Sequence, residues 1–462
     1  MKNSTRDLDI VVEKISNLKP CPRNARTHSK KQIKQIAASM AEFGFTNPVL
    51  INEEKKIIAG HGRVAAAKKL GLKSVPTIKL DHLTKEQIRA YMIADNKLAD
   101  NAGWDNEILA IEFQALYELD LDFDLSLTGF ELPEIDFLIQ ETKKEETCEE
   151  TQGVFEGPDR SLPAISEAGD LWKLGAHRLF CGDALVSETY KTLMGDDKAR
   201  MIFTDPPYNV PIAGNVSGLG KVKHDDFEMA CGELSEEQFI AFHKSYMQNL
   251  RDFSAHGSLH FICMDWRHIY ELLCSGRDIY EEFKHLCVWN KSNGGMGSFY
   301  RSKYELVFVF KRDAEKHINN IHLGKFGRNR TNVWDYAGAT SIGKGREADL
   351  AMHPTVKPVA MIADAILDVT NRGDIVLDIF AGSGSTLLAA EKTGRVARCV
   401  ELDPYYVDVI IERFQSLTGS DAVRLFDGKN YNTIKHETLQ IFGPEPSAKL
   451  NLNVGNTDKE LS

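Results

Sequence analysis

Met201-Ile202-Phe203-Thr204-Asp205-Pro206-Pro207-Tyr208 runs three apolar residues suited to a buried strand into a carboxylate, two prolines and an aromatic ring. Proline lacks an N–H and cannot sit inside a sheet ladder, so the strand must end at Asp205. A carboxylate, a rigid turn and a ring then meet at the carboxyl end of a strand, where open α/β sheets place their ligands. Three more acids share that position: Asp183 after one strand, Asp378 before Ala381-Gly382-Ser383-Gly384, and Glu401 at the end of Val396–Glu401. Strand, glycine turn, helix, strand and acid form the pattern of a nucleoside-binding βαβ unit. No lysine follows the glycines as in a P-loop, which points away from a triphosphate and toward an adenosine without phosphates. Glu401 suits ribose hydroxyls, and Asp183 could accept from the exocyclic amine of an adenine.

The elements that must position these residues are legible in the patterning. Leu171–Leu174 and His177–Phe180, separated by Gly175-Ala176, form a hairpin signal, followed by a helix to about Met194 and the strand of Met201. Strands follow at 259–263, 285–289 and 305–311, with an amphipathic helix at 239–250. The helix over 359–369 precedes the strand Ile375–Phe380. Upstream, Ile36, Met40 and Phe43 mark one helical face that stops at Gly44. Val49–Ile51 and Ile57–Ala59 flank a polar turn, and Gly60-His61-Gly62-Arg63 opens a helix ended by Gly71, where an anion could sit at the helix N-terminus. Residues 100–140 are expected to be helical, with Ile108, Ile111, Leu116 and Leu119 as the apolar stripe. The run ETKKEETCEE at 141–150 has little to bury and reads as a linker.

A chain of 462 residues exceeds one ordinary core and should form two or three domains. Its composition, 42% hydrophobic and 27% charged, is that of a globular protein. No apolar run approaches the roughly 20 residues of a membrane span, and the first residues lack a signal-peptide core. Eight cysteines without CxxC pairs read as free thiols of a reducing cytoplasm, with no metal site. The net charge of −11 is uneven, because 100–150 is strongly acidic and 284–346 is basic. That basic stretch interleaves cations with Phe326, Trp334 and Tyr336, a composition compatible with phosphate and base contacts.

Two resemblances follow. Pro22-Arg23-Asn24-Ala25-Arg26, the Ile57–Arg63 turn, Ala65-Ala66, Leu70-Gly71 and Val75-Pro76 resemble the ParB N-terminal domain family. The family's G-E-R-R box reads Gly60-His61-Gly62-Arg63 here, a departure that weakens any implication of nucleotide hydrolysis or nuclease activity. Asp205-Pro206-Pro207-Tyr208, Phe380-Ala381-Gly382-Ser383-Gly384, the His353–Pro358 segment H-P-T-x-K-P and Gly182-Asp183 resemble the amino-group DNA methyltransferases. With the Asp-Pro-Pro-Tyr motif ahead of the glycine motif, the order is that of the family's β group. The resemblance covers about residues 166–435 and implies a Rossmann-like α/β domain using S-adenosylmethionine. It further implies Asp205, Pro206, Pro207 and Tyr208 as catalytic residues. Asp183, Lys357, Asp378, Phe380, Gly382, Ser383, Gly384 and Glu401 are implied as cofactor contacts, with Lys357 at the methionine carboxylate.

The expected organisation is a small α/β ParB-like domain at 1–100, an acidic helical extension at 101–140 and a linker at 141–165. A methyltransferase domain at 166–440, with target recognition within 210–350, and a disordered tail at 441–462 complete it. The expected partner is double-stranded DNA, with no membrane; a homodimer is compatible, and no restriction partner is evident. Three readings compete: N6 of adenine, favoured by Asp205 over the serine common in cytosine enzymes; N4 of cytosine; and a ParB-like DNA-binding or partition protein with a vestigial methylase.

Overall fold

The hydrophobic runs that end in acids pair into one twisted sheet, and the shorter runs near the N-terminus form a separate one. The computed structural model describes residues 8–119, 123–146, 160, 162–210, 232–291, 300–321, 328, 330–337 and 356–442. The chain divides into two units, Met1–Glu149 and Glu150–Ser462.

In the first unit, strands β1 (Ile10–Lys14), β2 (Val49–Ile51), β3 (Ile57–Ala59) and β4 (Ser74–Lys79) form a sheet of order β1-β4-β2-β3. Helices α1 (Lys30–Phe43), α2 (His61–Lys69) and α3 (Lys85–Asp100) accompany it, and Val49, Ile51, Ile57, Val64, Ala67 and Val75 fill its core. Gly44 ends α1 with φ +80, as expected of a glycine stop. Gly60 begins α2 with φ +100. Arg63, expected beside an anion, instead donates Nη1 to the carbonyls of Asn47 at 2.6 Å and Pro48 at 2.9 Å. Two helices, α4 (Asn106–Glu118) and α5 (Leu132–Glu146), build a second small core from Ala110, Phe113, Leu125, Ile135, Leu138 and Ile139. Their buried stripe is not the expected one. Ile108 and Ile111 are 59% and 61% exposed, and the face through Ala110 and Phe113 turns inward. The charged run expected as a linker is helical through Glu146, because it completes the α5 helix started by the buried Ile135, Leu138 and Ile139.

In the second unit the strands are β5 (Leu171–Leu174), β6 (His177–Cys181), β7 (Ala199–Thr204), β8 (Ser254–Met264) and β9 (Glu282–Asn290). They continue as β10 (Tyr304–Lys311), β11 (Val333–Asp335), β12 (Ile375–Asp378), β13 (Val396–Glu401) and β14 (Ala422–Arg424). Among the described residues they form one sheet of order β11-β9-β10-β8-β7-β12-β13-β6-β5-β14. The central strands β8, β7, β12, β13 and β6 are parallel. Both outer pairs, β10 with its neighbours and β5 with its neighbours, run antiparallel.

Alternation along β7 explains the layers: Met201 and Phe203 enter one apolar cluster and Ile202 the other. On the first face lie α9 (Val359–Val369), α10 (Ser385–Thr393), α11 (Pro404–Thr418) and α12 (Tyr431–Phe442), through residues such as Ile362, Leu387, Ile410 and Ile434. On the second lie α6 (Ser187–Met194), α7 (Glu236–Asp252) and α8 (Ile269–Ile279), through Leu193, Phe239 and Leu272. This is the covered parallel sheet that near-continuous apolar strands demand. Phe326, His353–Thr355 and the tail from 443 lie outside the described residues. No helix of the described residues is long and apolar enough to cross a membrane.

One glycine sets the packing of α8. A Cβ on Gly276 would lie 2.3 Å from Cε1 of the buried Phe310. Helix propensity alone would make Gly276→Ala stabilising by about 1 kcal/mol. Overpacking should win, so the substitution is expected to destabilise the second unit by about 1–3 kcal/mol in denaturant unfolding. An unchanged or raised midpoint would contradict this packing.

Candidate active site

The parallel register brings the strand-end acids side by side. β7, β12, β13 and β6 are consecutive neighbours, so Asp205, Asp378, Glu401 and Asp183 lie along one end of the sheet. In the pairing, Glu401 stands opposite Cys181, and Gly182 N donates to the Glu401 carbonyl at 2.9 Å.

Asp205 leaves β7 into a pocket of charged and aromatic side chains. Its Oδ1 accepts from the Tyr208 hydroxyl at 2.5 Å, and its Oδ2 accepts from Lys357 Nζ at 2.5 Å. Lys357 Nζ also lies 3.1 Å from Glu305 Oε2 and 3.3 Å from the Tyr208 hydroxyl. Glu305 Oε1 receives Lys291, and the Lys357 ammonium sits 5.5 Å from the Tyr208 ring centroid. Burial pushes the Asp205 carboxyl up, while the Lys357 charge pulls it down without reversing the shift. For Glu305 the balance goes the other way: burial raises it, but Lys357 and Lys291 together hold it down to about 2. Burial beside Asp205 and Glu305 also pushes the Tyr208 phenol well up, so it remains a donor.

The described partners of Lys357 are carboxylates of the chain itself. Expected at a methionine carboxylate, it bridges the Asp205 and Glu305 carboxylates with its side chain only 5% exposed. Sequence reasoning missed Glu305 and Lys291. The signal available was a carboxylate heading the apolar run Leu306–Phe310 and a lysine ending the facing strand, since Glu305 pairs with Trp289.

The glycine side is equally ordered. Asp378 is buried, its Oδ1 filled by the Thr204 hydroxyl at 2.8 Å and Phe380 N at 3.2 Å, its Oδ2 by the Thr386 hydroxyl at 2.6 Å. Burial raises its carboxyl to about 6 against those donors. Asp378, expected to touch a cofactor, is thus placed as a brace inside the loop. Glu401 takes one backbone N–H on each oxygen, from Gly382 at 2.7 Å and Asp403 at 3.0 Å. Burial pushes it to about 7. A carboxylate offers about four acceptor sites, so half of Glu401's are left for a ligand.

Gly382 and Gly384 have φ +52 and +83, and a Cβ on Gly384 would lie 2.9 Å from Ile410. Ser383 is buried, and its carbonyl receives Arg413 Nη1 at 2.5 Å. The buried Ser385 hydroxyl at the start of α10 has no hydrogen-bond partner among the described residues. Phe380 packs edge-on to Tyr246, ring centroids 5.3 Å apart. Asp183 accepts Leu185 N at 2.8 Å on one oxygen. Free acceptor capacity on Glu401 and Asp183 beside a glycine turn fits the hydroxyls and amine of an adenosine moiety.

The basic segment is partly internal. Arg328 and Arg330 form ion pairs with Asp364 and Asp368 of α9, and the Tyr336 hydroxyl donates to Asp364. Trp334 is buried, its indole N–H on the Thr331 carbonyl at 3.1 Å. These side chains, from a stretch whose composition is compatible with phosphate and base contacts, bind the edge strand β11 to the body of the unit.

A DNA methylase family model of the N6/N4 type matches residues 199–412, and a ParB N-terminal domain model matches residues 2–96. A ParB-methyltransferase HTH domain model matches residues 107–167, across the acidic helices α4 and α5. The ParB-like nuclease domain-containing protein YnaK of Escherichia coli (strain K12) is 54% identical over 80 residues, 17% of this chain and 92% of YnaK. The DNA adenine methyltransferase YhdJ of the same organism is 26% identical over 291 residues, 56% of this chain and 89% of YhdJ. Among solved structures, the PvuII DNA methyltransferase (cytosine-N4-specific) has a TM-score of 0.42 at 16% identity, covering 61% of this chain and 95% of that one. With Asp205 and Glu401 at the strand ends of the matched region, the chain carries a DNA methylase domain of the N6/N4 type, preceded by a ParB N-terminal domain.

Proposed function

We propose that this protein is a site-specific methyltransferase that moves the methyl group of S-adenosylmethionine to N6 of an adenine flipped out of duplex DNA. The observation that carries this reading is the row of four acids on adjacent parallel strands, with Asp205 at one side of the glycine turn and Glu401 at the other. When bound, S-adenosylmethionine supplies a methyl group activated by a sulfonium.

The chain's own residues supply acceptors and position. An exocyclic amine is a poor nucleophile while its lone pair is delocalised into the ring. The Asp205 carboxylate and the Pro206 carbonyl would accept its two N–H groups, drawing the nitrogen toward tetrahedral geometry. Pro207 holds the turn, and Tyr208 offers a ring on which an extruded base can stack. Glu401 would take the ribose hydroxyls, Asp183 the cofactor adenine and Phe380 its apolar face. Gly382, Ser383 and Gly384 allow close backbone approach. Asp205 as the first residue of the tetrapeptide favours adenine over cytosine N4. The domain assignment is likewise ours: a ParB-like unit, two acidic helices and a methylase, with recognition assigned to residues between 210 and 350.

Two outcomes are expected. Asp205→Ala should abolish methylation of plasmid DNA while leaving S-adenosylmethionine affinity near wild type. Nucleoside mass spectrometry should find N6-methyladenine in the wild-type product, and N4-methylcytosine alone would overturn the choice of base. The second concerns pH. Glu401 rises to about 7 in the free protein, and ribose hydroxyls donate to the ionised form. Affinity should therefore be full above pH 7 and weaken below it, by up to about tenfold per pH unit. Glu401→Gln should bind about tenfold to hundredfold more weakly and lose the pH dependence in calorimetric titrations. A wild-type affinity that is flat from pH 6 to pH 8 would remove Glu401 from the ribose.

A further inference from the structure

Both oxygens of Asp205 are occupied: Tyr208 donates to one and Lys357 to the other. Each oxygen keeps a second lone pair for an arriving amine, but the buried ammonium neutralises the charge that would attract it, so Asp205 accepts strongly only when Lys357 is drawn off. Lys357 Nζ has three donors, and Asp205, Glu305 and Tyr208 lie within 3.3 Å of it. Its side chain is almost fully buried, so it cannot turn to water when Asp205 releases it. A buried cation stripped of its counter-ion is strongly unfavourable. Glu305 removes that obstacle, because it already holds the same ammonium at 3.1 Å.

Glu305 is itself held in place. Its Oε1 receives Lys291, its strand β10 lies between β8 and β9, and the Tyr208 hydroxyl lies 3.4 Å from its Oε2. The other groups around it are the Trp289 ring, 4.7 Å from Lys291 Nζ, and the buried Cys263 thiol of β8. Two carboxylates and two ammonium groups thus make a closed, neutral set.

We infer that Glu305 is a positioning residue for methyl transfer: it takes over Lys357 when Asp205 turns to the target amine, and Lys291 sets how strongly it pulls. This rests on the proposed reaction at Asp205. Glu305 touches neither the amine nor the cofactor in this scheme and acts through Lys357.

The test is the pH profile of single-turnover methylation of plasmid DNA by the full chain, with labelled S-adenosylmethionine at saturation. The acidic limb reports ionisation of Asp205. In Glu305→Gln the neighbouring negative charge is gone and Lys357 rests on Asp205 alone. The limb should move to lower pH by about half a unit or more, because a like charge raises a carboxylate pKa and its removal lowers it. The plateau rate should fall about tenfold or more, since Asp205 stays engaged with the lysine. Glu305→Asp should restore most of the rate. Lys291→Met leaves Glu305 free to draw Lys357 away, so its limb should move upward.

Opposite shifts support the inference; limbs that stay at the wild-type position, or move together, overturn it whatever the rates do. Should Glu305→Gln not fold, the upward shift in Lys291→Met decides alone. Full activity in Asp205→Ala, or no methylation by wild type, would instead refute the proposed reaction and this inference with it.

Discussion

The Asp378 carboxylate is the joint on which the methylase unit depends. One oxygen is filled by a hydroxyl from the end of β7 and the other by a hydroxyl from the first turn of α10. Its donors are two threonine hydroxyls and a backbone N–H, and burial raises it to about 6. The bond from Thr204 spans 174 residues of sequence and fixes the position of Asp205 relative to the glycine turn. A neutral hydroxyl at Thr204 suits this place: a lysine there would bring a third ammonium beside the set around Asp205. The site accordingly has two electrostatic regimes. Around Asp205 charge is paired with charge, whereas around Glu401 and Asp378 carboxylates rest on neutral donors.

Much of this order was legible because the residues that end strands also carry the chemistry. Pro206 and Pro207 must stop β7, and the glycines after Phe380 must stop β12, so the placement of Asp205 and Asp378 followed from backbone rules. The hairpin at 171–181 and the helices at 187–194 and 359–369 were similarly marked by turns and apolar period. The failures have a common physical source. Lys357 lies 152 residues from Asp205, and nothing local says that its ammonium turns to that carboxylate. Arg328 and Arg330 lie in the basic stretch, and nothing local shows that their partners, Asp364 and Asp368, sit one turn apart on a distant helix. In α4 the apolar residues Ile108, Leu109, Ala110, Ile111 and Phe113 surround the helix. Period alone could not choose the face, and α5 chose it.

The ParB-like unit shows the opposite balance, with a clear fold and a site whose charge is spent on the backbone. Gly62 lets the His28 ring approach to about 3 Å of where a Cβ would be, and Gly60 accommodates the Arg63 guanidinium. Both glycines thus serve local packing. Arg63 ties the start of α2 to the carbonyls ahead of β2.

The order of strands has a consequence for synthesis. β12 and β13 lie between β7 and β6 in the sheet, yet they follow both in the chain by nearly two hundred residues. A nascent chain that has emerged through β11 has the edges of β7 and β6 both open, with the middle of the sheet missing. Such edges pair readily with foreign strands, and non-local pairing closes slowly. The ribosome must therefore finish the glycine turn before Thr204 finds Asp378. A truncated product would carry Asp205 without the loop that aligns it.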